Sequence, residues 1–216
     1  EEMRLFPGST LGGHLGFVRS IFPGAWDESY AARLLQRFHL HPEQRVRELS
    51  RGEQVKAALL LALARRPRLL LLDEPTAGLD PVARQEVIGE LMEVLRDEDR
   101  SILFSSHNTL DVEQICDQIV FIDRGRIVDS GDKEAFLERW RRVTLEVPEA
   151  SALPEVPGVV DVARSARTAV VTVRAFDDAL PAAYRRAGAA VRDVRRMTLE
   201  EIFVATVLSR RKERGE

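Results

Sequence analysis

The 216-residue sequence is 44% hydrophobic and 31% charged, with a net charge of −3 and one cysteine. That balance suits a globular chain with a proper core, argues against general attraction to nucleic acid or an anionic membrane, and excludes an internal disulfide. No apolar run reaches the roughly eighteen residues of a membrane span, so any service to a membrane is expected to run through a partner.

Near the start, Gly8-Ser9-Thr10-Leu11-Gly12-Gly13-His14-Leu15 has the glycine spacing of a phosphate-cradling loop, G-x-x-x-x-G-K-[ST]. His14-Leu15 stands where lysine and a hydroxyl residue are needed. Without them there is neither a cation for the β- and γ-phosphates nor a hydroxyl for Mg²⁺, so the stretch reads as a turn entering a helix. From Leu11 to Leu40 the pattern predicts a helical region. Asp27 is placed to cap a helix with Tyr30, Ala31, Leu34, Leu35 and Phe38 on one face, and Phe17, Ile21, Phe22 and Trp26 are expected to add mostly core bulk. His39 and His41 flank Leu40, but no third ligand stands near, and a metal site is not expected there.

Ser50-Arg51-Gly52-Glu53 has the S-x-x-E form of a capping box opening a helix over 54–65, apolar nearly all round and therefore buried. Its N-terminus, with free amides and the positive end of the dipole, is suited to an anion. Four leucines, Leu69 to Leu72, then predict a strand buried on both faces, with Asp73 and Glu74 at its carboxyl end. Ligands of open α/β sheets bind outside that edge. The two acids read either as a Mg²⁺ ligand beside a second acid or as a solvated acidic turn. Asp80 is placed to cap the next helix, with Pro81 at its first position and Val87, Ile88, Leu91, Met92 and Leu95 inside. Ser101 to Ser105 is a further buried strand, and His107 follows it.

Gln118 to Ser130 predicts a hairpin turned at Arg124-Gly125, followed by a helix over 133–140. After a proline-bearing segment, strands near 143–147, 159–163, 169–174 and 190–194 with helices near 178–186 and 199–208 predict a small α+β domain of ferredoxin-like type.

Leu49-Ser50-Arg51-Gly52-Glu53, Leu69-Leu70-Leu71-Leu72-Asp73-Glu74, Ala77-Gly78-Leu79-Asp80 and His107, in that order, resemble the signature, Walker B, D-loop and switch histidine of the ATP-binding-cassette (ABC) ATPases. The resemblance covers about 1–140. It implies an α/β, P-loop NTPase-type core whose N-terminal part, with the Walker A loop, is absent from this sequence. Residues 1–141 would form that partial domain, with a helical subdomain at about 9–50 and the signature-to-switch region at 49–108. Residues 142–216 would form the accessory α+β domain, similar to appendages of exporter-type members. Glu1 would match the Q-loop position that contacts the metal.

The same resemblance implies ATP and Mg²⁺ as ligands, Asp73 holding the metal, Glu74 activating water, and His107 sensing the γ-phosphate. Ser50, Arg51, Gly52, Glu53 and Asp80 would meet the nucleotide of a second ATPase subunit, identical or not, in a head-to-tail dimer. Partners would be transmembrane permease subunits on the cytoplasmic face of the membrane, with no nucleic acid and with export as the expected direction. Alternatives are a soluble ABC ATPase of translation or DNA repair, and a non-catalytic truncated module. Arg51 and Glu53 depart from the family's L-S-G-G-Q; a carboxylate at Glu53 lies unfavourably near a phosphate unless Arg51 offsets it.

Overall fold

The computed structural model describes residues 5–148 and 152–215. Glu1, the expected Q-loop residue, lies outside them. Packing divides the chain after Asp111 into two compact units. This cut comes before the expected domain boundary at 141/142, where Trp140, fully buried, belongs to the same core as residues 197–207.

The first unit begins with α1 (Leu11–Ile21), capped by Thr10, and α2 (Glu28–Arg37), capped by Asp27. The Gly8–Leu15 stretch is therefore the turn and first helical turn that its missing lysine implied. Tyr30, Ala31, Leu34 and Phe38 are buried as their spacing predicts, but Phe17 and Ile21 are more than half exposed. They lie on the outer side of α1, whose only fully packed positions are Leu11 and His14. Helix α3 (Arg51–Leu63) is buried along most of its length, and α4 (Pro81–Leu95) packs beside it. In α4, Val87, Ile88 and Leu91 are core residues, while Met92 is half exposed.

Strand β1 (Leu69–Asp73) lies between α3 and α4 in sequence and β2 (Ser101–Ser105) follows α4; the two pair in parallel with Leu71 opposite Leu103 and Asp73 opposite Ser105. The expectation that β1 is buried on both faces is corrected. Leu70 is buried, but Leu69, Leu71 and Leu103 are 58%, 65% and 65% exposed. Alternation puts odd-numbered residues on one face, and among the described residues nothing covers that face of the two-stranded sheet. Helix α5 (Thr109–Ile115) follows β2.

In the second unit, β3 (Gln118–Asp123) and β4 (Arg126–Asp132) form the predicted hairpin, and α6 (Lys133–Arg139) the predicted helix. Arg124 and Gly125 both have positive φ at the turn, as a tight hairpin requires. Then come β5 (Arg141–Glu146), β6 (Val159–Ser165), β7 (Thr168–Val173), α7 (Ala179–Arg186), β8 (Ala190–Arg196) and α8 (Leu199–Arg214). The sheet order is β6-β7-β5-β8, antiparallel at every pairing. The α+β elements appear as expected, and the strand order and antiparallel pairing are those of a ferredoxin-like sheet, with α7 crossing from the third strand to the fourth. The first crossover, from β5 to β6, runs through a segment with Pro148, Pro154 and Pro157. Helix α8 packs Leu199, Ile202 and Val207 against Ile119, Phe121, Phe136 and Trp140.

Glu201 joins this helix to the sheet. Its carboxylate accepts from Arg195 at 2.6 and 2.9 Å, from Arg142 at 2.8 Å and from the Thr198 amide at 3.1 Å in a capping box. The Arg195 hydrogen bonds, with help from Thr198 and Arg142, lower its pKa from 4.5 to about 2. A carboxylate with a depressed folded pKa stabilises the fold fully above its unfolded pKa and loses that contribution as pH falls through the folded value. Glu201→Gln should therefore destabilise the second unit by about 1–3 kcal/mol at neutral pH. Denaturant unfolding at pH 7 and at pH 2–3 should show the difference shrinking across the interval from about 4.5 to about 2.

Candidate functional site

The parallel register brings the carboxyl ends of β1 and β2 to one level, and the first group of candidate residues gathers there. The Glu74 amide donates to the Ser105 carbonyl and to the Ser105 hydroxyl, each at 3.1 Å. The Ser105 hydroxyl in turn donates to the Asp73 carboxylate. One serine thus ties both acids of the edge together. Glu74 has φ +48°, in the left-handed region that a non-glycine residue occupies at a cost of the order of 1 kcal/mol or more. The turn directs the Glu74 carboxylate to His107. Its Oε1 accepts the His107 amide at 2.9 Å, and its Oε2 lies 2.8 Å from His107 Nδ1. Nδ1, facing a carboxylate, carries the ring proton, which leaves Nε2 outward on a side chain that is 78% exposed.

The second group lies at the N-termini of α3 and α4. The Ser50 hydroxyl accepts the Glu53 amide at 3.2 Å, and the Glu53 carboxylate accepts the Ser50 amide at 2.7 Å, which is the capping box expected from S-x-x-E. Hydrogen bonding from Ser50, its amide first, holds the Glu53 carboxyl below its usual pKa. A helix leaves its first four amides without intrahelical partners, and the box uses those of Ser50 and Glu53. Asp80 accepts from Val82 and Ala83 at 2.9 and 3.1 Å, and these amides, Ala83 foremost, lower its pKa. The caps meet because Gly52 has no side chain: a β-carbon there would sit 3.3 Å from that of Ala83. Likewise Gly78, at φ +69°, lies under the Arg51 guanidinium, where a β-carbon would come within 2.7 Å of the guanidinium carbon.

A buried network that sequence reading did not single out supports the loop between the groups. The Thr76 hydroxyl donates to Asp111 Oδ2 at 2.6 Å, Arg84 donates to Asp111 Oδ1 at 2.6 Å, and Asp111 is fully buried. Ser105 was likewise read only as the end of a strand. Nothing in the local pattern marks Asp111, which needs the fold to bring positions 76, 84 and 111 together. Ser105 could have been found from its place opposite Asp73, had the parallel register been drawn.

Comparison with known proteins fits this geometry. A family model described as "AAA domain, putative AbiEii toxin, Type IV TA system" matches residues 26–112. The chain is 34% identical over 128 residues to the ABC transporter ATP-binding protein YtrB of Bacillus subtilis, covering 59% of this chain and 44% of that protein. It is 32% identical over 163 residues to the methionine import ATP-binding protein MetN of Carboxydothermus hydrogenoformans, covering 73% and 48%. A solved ATP-binding subunit of an ABC transporter superposes with a TM-score of 0.54 at 26% identity, covering 64% of this chain and 59% of that one. The relatives this chain matches are ABC-transporter ATP-binding proteins. The chain spans about half the length of the curated relatives it matches. The P-loop NTPase-type α/β core expected from the motifs stands.

The metal expected from the motifs is Mg²⁺, a cation that takes one or two carboxylates together with substrate phosphates. Asp73, with the Ser105 hydroxyl beside it, supplies hard oxygen donors of that kind at the strand edge. No cluster of three or more acidic, histidine or cysteine ligands occurs among the described residues. Gly78→Ala should lower stability by about 1–2 kcal/mol through its positive φ, because the Arg51 guanidinium is the far end of an exposed side chain and can move aside. Urea unfolding of Gly78→Ala in an Arg51→Ala background should show nearly the same loss.

Proposed function

We propose that this protein binds and hydrolyses ATP as the nucleotide-binding subunit of an ABC transporter, driving separate transmembrane permease subunits from the cytoplasmic face of the membrane. The observation that carries the reading is the Glu74–His107 pair, held at the end of β1 beside Asp73. Glu74 is the general base. Each of its oxygens accepts one bond from His107, and a carboxylate oxygen has a second acceptor site, enough to orient a water and take its proton. His107 keeps Glu74 in place through Nδ1 and turns Nε2 toward the terminal phosphate, coupling its presence to the base.

Asp73 and Ser105 are the residues that would hold Mg²⁺, and the cation supplies neutralisation of charge on the phosphates. The sequence has no lysine-ended phosphate loop, so the main grip on the β- and γ-phosphates is assigned to residues outside it. The N-terminus of α3 is assigned to the nucleotide of a second ATPase subunit, with the Arg51 and Gly52 amides left by the capping box as donors and the Ser50 hydroxyl beside them. Asp80 relays between the two sites through the cap of α4. The α+β elements beyond residue 140 support export as the direction. Tracer uptake into inside-out vesicles carrying the permease tests it: accumulation is the expected result and its absence favours import.

Two variants in the protein as its host makes it test the chemistry. Glu74→Gln should cut ATP turnover by about 10²–10⁴-fold with ATP binding retained; undiminished turnover would remove Glu74 from the role of base. Glu53→Gln should tighten ATP-driven pairing of subunits by removing a carboxylate near the phosphate, and unchanged or weaker ATP affinity in that variant would overturn the assignment of the α3 terminus.

A further inference from the structure

Helix α8 buries one side and leaves another open. Leu199, Ile202, Thr206 and Val207 face the core. Glu200, Val204, Leu208 and Lys212, at intervals of four, form an exposed row, with Val204 and Leu208 47% and 52% exposed. The row borders a groove of about 310 Å³ floored by Val160, Thr172 and Ala205. A solvated helix face would ordinarily be polar at its middle. Here the middle is apolar, and the charges stand only at the ends, acid toward the N-terminus and base toward the C-terminus.

That order is self-complementary under a two-fold rotation. We propose that the row Glu200-Val204-Leu208-Lys212 is the surface on which a second copy of this chain docks, α8 antiparallel to α8, with the axis between Val204 and Leu208. Val204 of each copy then meets Leu208 of the other, and Glu200 of each meets Lys212 of the other. When rows at intervals of four interdigitate, the two rows run parallel to each other at a crossing angle near −50°. The charges, about 18 Å apart along each helix at 1.5 Å per residue, therefore stay in register. The parallel arrangement would set Glu200 against Glu200 and Lys212 against Lys212, so the same charges select the antiparallel one. Lys212 already donates to Asp161 at 2.6 Å. An ammonium has three donors, and those remaining are available to the second copy. A two-fold contact repeats every pair, so each favourable contact counts twice. This pairing needs no nucleotide, which separates it from association driven by ATP.

The test is sedimentation of the 216-residue chain over a range of concentrations, without ATP or Mg²⁺. The expected result is a monomer–dimer equilibrium. Glu200→Lys and Lys212→Glu should each weaken it about tenfold, since each turns two symmetry-related attractions into repulsions. The double variant, which restores opposite charges across the axis, should regain the wild-type affinity. Leu208→Glu should abolish the dimer, whereas Asp161→Asn, which removes only the intrachain partner of Lys212, should leave it. A monomer at all concentrations, a dimer indifferent to the single reversals, or a double variant that stays weak would each overturn the proposal.

Discussion

Five residues of β1 pair in parallel with five of β2, and the pairing ends with Asp73 opposite Ser105. Most of the first group of site residues follows from that register. Because the strands finish together, the Ser105 carbonyl and hydroxyl are both within reach of the Glu74 amide, and the hydroxyl proton is left for Asp73. The turn that results puts Glu74 into a left-handed conformation. Two hydrogen bonds from His107 hold the carboxylate there. Strained backbone of this kind persists only where several contacts determine it together. A shift of one residue in the register would move every side chain of β1 to the opposite face and dissolve the arrangement.

The second group depends on close approach rather than on strand pairing. Helices α3 and α4 present their capped N-termini side by side, and a glycine stands at each point of close approach. Gly52 lets the first turn of α3 reach Ala83, and Gly78 lets the loop pass beneath Arg51. The Thr76–Asp111–Arg84 network anchors the loop from inside. A buried carboxylate paired to both a hydroxyl and a guanidinium is costly to break from either side, so the loop has little freedom to drift from α3.

In the second unit the main adhesive is apolar, with Trp140, Phe121 and Phe136 against α8, and the charge clusters act at its margins. Glu201 gathers Arg142 and Arg195 from neighbouring strands, which face each other in the β5–β8 register. Two like charges directly across a sheet repel, and the carboxylate between them turns that repulsion into an attachment for the helix.

Local chemistry was legible along most of the chain. The capping boxes and caps at Ser50, Asp27 and Asp80, the hairpin turn at Arg124-Gly125, and the helix and strand periods all depend on neighbours a few residues apart. The ordered series of short motifs was legible for the same reason, and it carried the resemblance to ABC ATPases. Tertiary structure decided what depends on distant partners. It exposed Leu69, Leu71 and Leu103, because an apolar run sets what a strand can bury and only its neighbours set what it does bury. It made Ser105 and Asp111 members of the site, since their partners lie some thirty residues away in sequence. It also set the strand order β6-β7-β5-β8 of the last sheet, in which β5 pairs with β7 and β8 rather than with the strand that follows it.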